Sequence, residues 1–272
     1  MIGQLIPAFF LSSSIASLAF WRGSLSKSGV AGALLVGTLT FGFGGWFWGL
    51  LLGVFFISSS FLSHFKESEK REAAEKFEKG HRRDFAQALA NGGLGALIAL
   101  GNVLFPSPVW YFMFTGTMAT VTADTWATEL GTLSKNPPRL ITNGKRVEVG
   151  TSGGISPLGT AVSTIAGLII GLAAGLLGKK KTLWQFAAMG AASGLLGSLF
   201  DSLLGATVQQ IFYCDTCQKE TERRQHRCGS QTRQIRGYSW LNNDMVNLLA
   251  SLVGGLVAVL LWLLFRRSKA AE

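Results

Sequence analysis

The 272 residues are 48% hydrophobic and only 15% charged, with a mean hydropathy of +0.34 and a net charge of +10. A soluble domain carries about 25% charged residues, which excludes a soluble enzyme, and apolar blocks about as long as a bilayer-spanning helix exclude a disordered chain. The positive charge would point to nucleic acid in a soluble protein, but here Lys and Arg lie mostly between the apolar blocks. Orientation and anionic lipid account for them there, so no nucleic-acid partner is expected.

The apolar runs predict an all-α polytopic integral membrane protein, a single membrane domain of eight spans near 3–21, 28–43, 45–63, 86–105, 109–130, 158–178, 183–212 and 243–265. The first has no basic start and no clear small-residue cleavage site before Arg22, so it reads as a span and not a signal peptide. The second and third share one apolar stretch too long for a single crossing, with Gly42, Gly44 and Gly45 at the expected hairpin. Segment 64–85 alternates Lys and Glu among alanines in KESEKREAAEKFEKGHRR, which predicts a charged cytoplasmic helix with ion pairs four apart and solvated His64 and His81. Eight spans put both termini on one side. Lys and Arg then number 2 near Arg22, 7 in 64–85, 4 in 131–157 and 6 in 213–240, against Lys179–Lys181, Arg266, Arg267 and Lys269 on the other side. The richer side should be cytoplasmic, in what reads as a bacterial plasma membrane.

Four acids lie inside or at the ends of apolar segments: Asp124, Glu129, Asp201 and Asp244. A carboxylate deep in a span costs about 2.5–3.5 kcal/mol, so such groups face a partner, a cavity or an ion. Gly116, Thr120, Asp124 and Thr128 recur four apart and make one polar stripe, while Glu129 reaches the same place only if its helix ends near Gly131. Gly190, Gly194, Gly197 or Ser198, Asp201, Gly205 and Gln209 repeat the pattern on the seventh span, where the glycines also fit a close helix contact. Asn242, Asn243, Asp244 and Asn247 open the last span, as helix caps or as part of a site, and Asn91 follows Gln87 by one turn on the fourth. All of these polar groups collect near the cytoplasmic face.

The glycine-rich loop 131–157, with TNGKRVEVGTSGGISPLGT, supplies the opposite charge. Lys145 and Arg146 can meet phosphate oxygens, and Gly150, Gly153 and Gly154 let backbone N–H groups approach an anion ahead of a helix N-terminus. The loop lacks the Walker pattern GxxxxGK[ST]. Acids for Mg²⁺ together with basic and glycine groups for phosphate are the minimal equipment for phosphoryl transfer, with Asp124, Asp201 and Asp244 as candidate metal ligands. In the loop 213–240, Cys214-x2-Cys217 and His226-x-Cys228 make a closed set of three sulfurs and one imidazole suited to structural zinc, with no open position for catalysis.

The segments ADTWATELG at 123–131, PRLITNGKRVEVGTSGGISPLGT at 138–160, GLLGSLFDSLLGATVQ at 194–209 and NNDMVN at 242–247 resemble the transmembrane protein 19 family. FISSSFLSHFK at 56–66 and ANGG at 90–93 fit as well, so the resemblance covers nearly the whole chain. That family includes the phytyl-phosphate kinase of tocopherol synthesis, and ADTWATELG is also similar to the acidic segment of polyprenol kinases that use CTP. The resemblance implies a membrane kinase that moves a phosphate from a nucleoside triphosphate, CTP or ATP, to a prenyl or polyprenyl monophosphate. It assigns the chemistry to Asp124, Glu129, Asp201, Asn243 and Asp244. The reading from another class is an ion-coupled transporter or lipid flippase, since intramembrane acids and glycine-rich helices also mark transport pathways.

Overall fold

The structure, a computed structural model, describes residues 2–80, 82–178 and 183–270; His81 and Lys179–Lys181 lie outside the described residues. Eight long helices stand where the eight apolar runs are: α1 (Ile2–Trp21), α2 (Lys27–Gly44), α3 (Trp46–His64), α5 (Phe85–Leu104), α6 (Val109–Gly131), α7 (Pro157–Leu177), α8 (Leu183–Thr207) and α9 (Asn243–Ala270). A single helical turn, α4 (Arg71–Ala74), lies between α3 and α5. Local chemistry sets the starts. Ser26 accepts from the Gly29 N–H ahead of α2, Asp84 and Gln87 form a reciprocal capping box on α5, and Ser156 caps α7 with Pro157 in its first turn. Asn242 Oδ1 accepts from the Met245 N–H at 3.1 Å, so the cap of α9 falls to Asn242 and leaves Asn243 and Asp244 for other work. Between α2 and α3 the hairpin is a single residue, Gly45, with φ of 82°.

Six of these helices, α1, α3, α5, α7, α8 and α9, are long and apolar enough to cross a membrane by length and composition. Helix α6 reads as more polar because it is the centre of the bundle, buried without a break from Phe114 to Ala123. Three of its buried threonines are satisfied within the bundle, whereas Thr117 Oγ1 is enclosed without a partner among the described residues. Thr115 and Thr122 donate to the carbonyls of Tyr111 and Met118, and Thr120 donates to the Ser193 carbonyl at 2.9 Å. Glycine lets neighbours approach closely: a Cβ on Gly167 would sit 2.3 Å from the Gly190 carbonyl oxygen across the α7–α8 contact. Trp48, Leu51, Phe114, Met118, Ile170, Phe186 and Met189 form the apolar core, all in the half of the bundle near the α5–α6 turn.

Two expectations are corrected. The seventh span was expected to reach residue 212, but α8 stops at Thr207 and Ile211–Cys214 is a strand, β3. This strand, rich in aromatic and β-branched residues, is the middle of a three-stranded antiparallel sheet. It pairs with β4 (Lys219–Thr221) and β5 (Arg233–Arg236), so its backbone is satisfied without a helix. Segment 64–85 is not a continuous charged helix. It is a 3-10 turn, Glu67–Lys70, the single turn α4, and then irregular chain through the described residues 75–80 and 82–83 ahead of the Asp84 cap. Lys66 has a φ of 51°, which breaks the chain away from α3. Lys66 keeps a local pair with Glu69, but three other lysines reach acids on other elements, Lys70 with Glu129, Lys76 with Glu148 at 2.7 Å and Lys79 with Asp244 at 2.5 Å. These long-range pairs take the place of the expected pairs four apart along a helix. A short hairpin, β1 (Arg139–Leu140) against β2 (Gly154–Ile155), leads into α7.

Candidate active site

The ends of α6 and α8 and the starts of α5, α7 and α9 surround a cavity of about 580 Å³, opposite the apolar core. Asp124, Glu129, Asp201, Asp244, Asn91, Asn243, Asn247, Gly153 and Gly154 all line it. The polar stripes meet here because α6 turns Asp124 and Thr128 into the same space, and its end at Gly131 lets Glu129 enter too.

The four acids divide into two kinds. Glu129 is paired with the buried Lys70, whose ammonium also donates to the carbonyls of Leu62 and Ser63. Asp244 is paired with Lys79, which also reaches Asp84 at 3.0 Å. Burial opposes the charge on Lys79, but the hydrogen bonds and charges of Asp244 and Asp84 outweigh it and hold its pKa above the ordinary lysine range. Asp124 and Asp201 have no hydrogen bond or ion pair among the described residues, and Asp201 Oδ2 is fully enclosed without a donor. Asp201 also lies within electrostatic range of Asp124 and of Glu222. Two unpaired carboxylates in one enclosed space are costly unless a cation joins them, and hard divalent cations take oxygen ligands of this kind. These two residues could hold such an ion.

Glu222 is an acid that the apolar-span argument missed, because it follows β4 in a polar loop. Its carboxylate accepts from Gln209 Nε2 at 2.9 Å, Ser152 Oγ at 3.2 Å and the Glu78 N–H at 3.2 Å. Burial pushes its pKa above the usual carboxylate range, against those three hydrogen bonds. Lys145 and Arg146 do not line the cavity; the Asn143-Gly144 turn carries them to the exposed tip of the β1–β2 connection. The basic groups in the cavity come instead from Lys70, Lys79, Arg83 and Arg227. The two ends of the glycine-rich loop reach the site, Gly131, Thr132 and Pro138 from one and Val149 to Ser156 from the other, while the tip that carries Lys145 and Arg146 does not.

The family model of the integral membrane protein DUF92 matches residues 10–255, a span that includes every residue lining this cavity. The chain belongs to this family. It is 33% identical over 273 residues to Protein PGR of Arabidopsis thaliana, covering 92% of this chain and 93% of the relative. It is 32% identical over 239 residues to an uncharacterized membrane protein of Methanocaldococcus jannaschii, covering 88% and 86%. It is also similar to Protein VTE6, chloroplastic, of Arabidopsis thaliana, 26% identical over 243 residues that cover 87% of this chain and 65% of the relative. No solved structure matches. The DUF92 match and the eight-helix bundle agree on a multi-pass integral membrane protein.

Outside the cavity, this DUF92 chain gathers Cys214, Cys217, His226 and Cys228, with one ligand atom from each within 4.8 Å of the others. Cys214 Sγ and Cys228 Sγ are 3.7 Å apart. Tetrahedral zinc with Zn–S distances of about 2.3 Å separates two sulfurs by about 3.8 Å. The four residues therefore fit a metal of that size and preference.

Proposed function

We propose that the chain is a membrane prenyl-phosphate kinase, transferring the terminal phosphoryl group of CTP or ATP to a prenyl- or phytyl-type monophosphate. An oxygen of the lipid phosphate attacks the terminal phosphorus, the bond to the bridging oxygen breaks, and a nucleoside diphosphate leaves with the electron pair. The single observation that carries this reading is the unpaired couple Asp124 and Asp201 in a cavity that also holds Lys70 and Lys79. In this reading Asp124 and Asp201 would hold Mg²⁺, which would supply charge neutralisation for phosphoryl transfer. Lys70 and Lys79 take the phosphate-binding role expected of Lys145 and Arg146, held ready by Glu129 and Asp244 until a phosphate arrives. Asn91, Asn243, Asn247 and the Gly153–Gly154 backbone offer uncharged polar groups around the same space. Zn²⁺ among the three cysteines and His226 is structural.

The family resemblance points to the same class, since its motifs contain Asp124, Glu129, Asp201 and Asp244. A transporter or flippase needs access from both sides, whereas the half of the bundle beyond the cavity is filled by Trp48, Phe114, Met118 and Phe186. Purified protein incubated with labelled nucleotide and a panel of prenyl monophosphates should form the diphosphate only when Mg²⁺ and a lipid phosphate are both present. Nucleotide left intact across the whole panel would reject the kinase.

The site is proposed to face the cytoplasm, as the distribution of Lys and Arg implies. In intact cells an impermeant thiol reagent should therefore label Pro106→Cys, in the α5–α6 turn, and reach Lys145→Cys only after permeabilisation. Labelling of both from the outside would remove access to cytoplasmic nucleotide and with it the proposed reaction.

A further inference from the structure

Residues 73–79 form a wall of the cavity, yet beyond Ala74 they have neither helix nor sheet of their own to satisfy their backbone. Apart from the Lys76 N–H, which donates to the Ala73 carbonyl at 3.1 Å, their partners come from the segment after β3. The Glu222 N–H donates to the Lys76 carbonyl at 2.9 Å and Thr221 Oγ1 to the same oxygen at 3.1 Å. Arg223 Nε donates to the Phe77 carbonyl at 2.9 Å and Arg227 to the Ala74 carbonyl at 3.1 Å. In return the Glu78 N–H donates to one carboxylate oxygen of Glu222, whose other oxygen accepts from Gln209 and Ser152. One side chain thus joins the wall at 73–79, the glycine-rich loop and the end of α8.

The support for that side chain is slight unless metal is bound. Strands of 4, 3 and 4 residues are short for an independent sheet. A module of this size, below about 40 residues, rarely buries enough core to fold without a metal or disulfides. The four ligands are placed to supply the missing stability: Cys214 and Cys217 precede β4, while His226 and Cys228 flank Arg227. They bracket every contact just described.

We propose that this Cys/His knuckle is a metal-dependent clamp on the cavity, and that Glu222 is the positioning residue through which metal at the four ligands fixes the wall at 73–79. The clamp rests on the metal reading of the Cys/His cluster and not on the kinase reading. Its chemistry is that of a soft-ligand metal, zinc by fit, controlling the shape of a site whose own acids are not among its ligands.

Trypsin cleavage at Lys76 and Lys79 in the full chain, reconstituted in nanodiscs, reads the clamp without any nucleotide, so its failure and that of the kinase are seen separately. Wild type should hold about one zinc per chain and resist cleavage there. Chelation should speed cleavage about tenfold or more, with the membrane helices intact, and added Zn²⁺ should restore resistance. Glu222→Ala should keep its zinc and still be cleaved rapidly, whereas Glu222→Gln, which retains one acceptor oxygen, should recover part of the protection. The clamp is overturned if zinc-stripped protein is as resistant as the loaded form, if wild type resists without any metal, or if Glu222→Ala resists like wild type.

Discussion

Asp201→Asn should lower phosphoryl transfer about a hundredfold or more while leaving the thermal stability of the bundle unchanged or raised. The two effects have one origin. Asp201 Oδ2 is enclosed and has no donor among the described residues, and Asp124 and Glu222 bring further negative charge near it. Neutralising such a group removes repulsion and desolvation, so the folded state gains or breaks even. A metal ligand shows that pattern because the charge that destabilises the empty fold is the charge that binds the cation. Asp124→Asn should behave in the same way, and the double variant should lose little more than either single one, since both act on one ion. A structural acid would give the opposite sign in melting experiments: lower stability, and activity reduced only in proportion to folded protein.

Gly153→Ala should abolish most activity by displacing the glycine-rich loop. Gly153 has a φ of +84°, and a Cβ there would lie 2.5 Å from Ala206 Cβ and 2.6 Å from the Ala206 backbone on α8. The left-handed backbone costs about 1–2 kcal/mol for an L-residue, and overpacking against a helix backbone adds about 1–3 kcal/mol. The loop can escape only by moving off α8, which would carry Ser152 away from Glu222. Gly144→Ala is the control, because Gly144 shares the left-handed conformation, with φ of +67°, but a Cβ there meets nothing within 4 Å. Transfer rates and melting temperatures should fall far more for Gly153→Ala. Equal effects in the two variants would mean that the contact with α8 does not matter to the site.

The bundle was legible because apolar length and composition act along the chain, and eight apolar runs gave eight long helices. The four acids were legible for a related reason: each sits in or beside an apolar run, where a carboxylate must have company. Their partners were not. Lys70 and Lys79 lie in a segment whose alternating charges have the pattern of a solvated helix, and only the tertiary fold pulls them onto Glu129 and Asp244. Glu222 is likewise brought into the cavity by a strand pairing that no periodicity announces. Lys145 and Arg146 are different, because a signal was present. Asn143-Gly144 favours a tight turn, and Gly144 takes the expected positive φ, which carries the next two residues to the exposed tip. The premature end of α8 also had a local cue, since Gln209 and Gln210 separate its apolar run from the strand-forming IFYC.

Divalent-cation binding at Asp124 and Asp201 is open to direct observation by titrating Mn²⁺ into purified protein with a non-hydrolysable nucleotide and following the free ion by electron paramagnetic resonance. Wild type should bind Mn²⁺ at the cavity, Glu129→Gln should retain that binding because its acid is already occupied by Lys70, and the Asp124→Asn, Asp201→Asn double variant should lose it. Mn²⁺ binding of unchanged affinity in the double variant would contradict a cation site at this pair of acids.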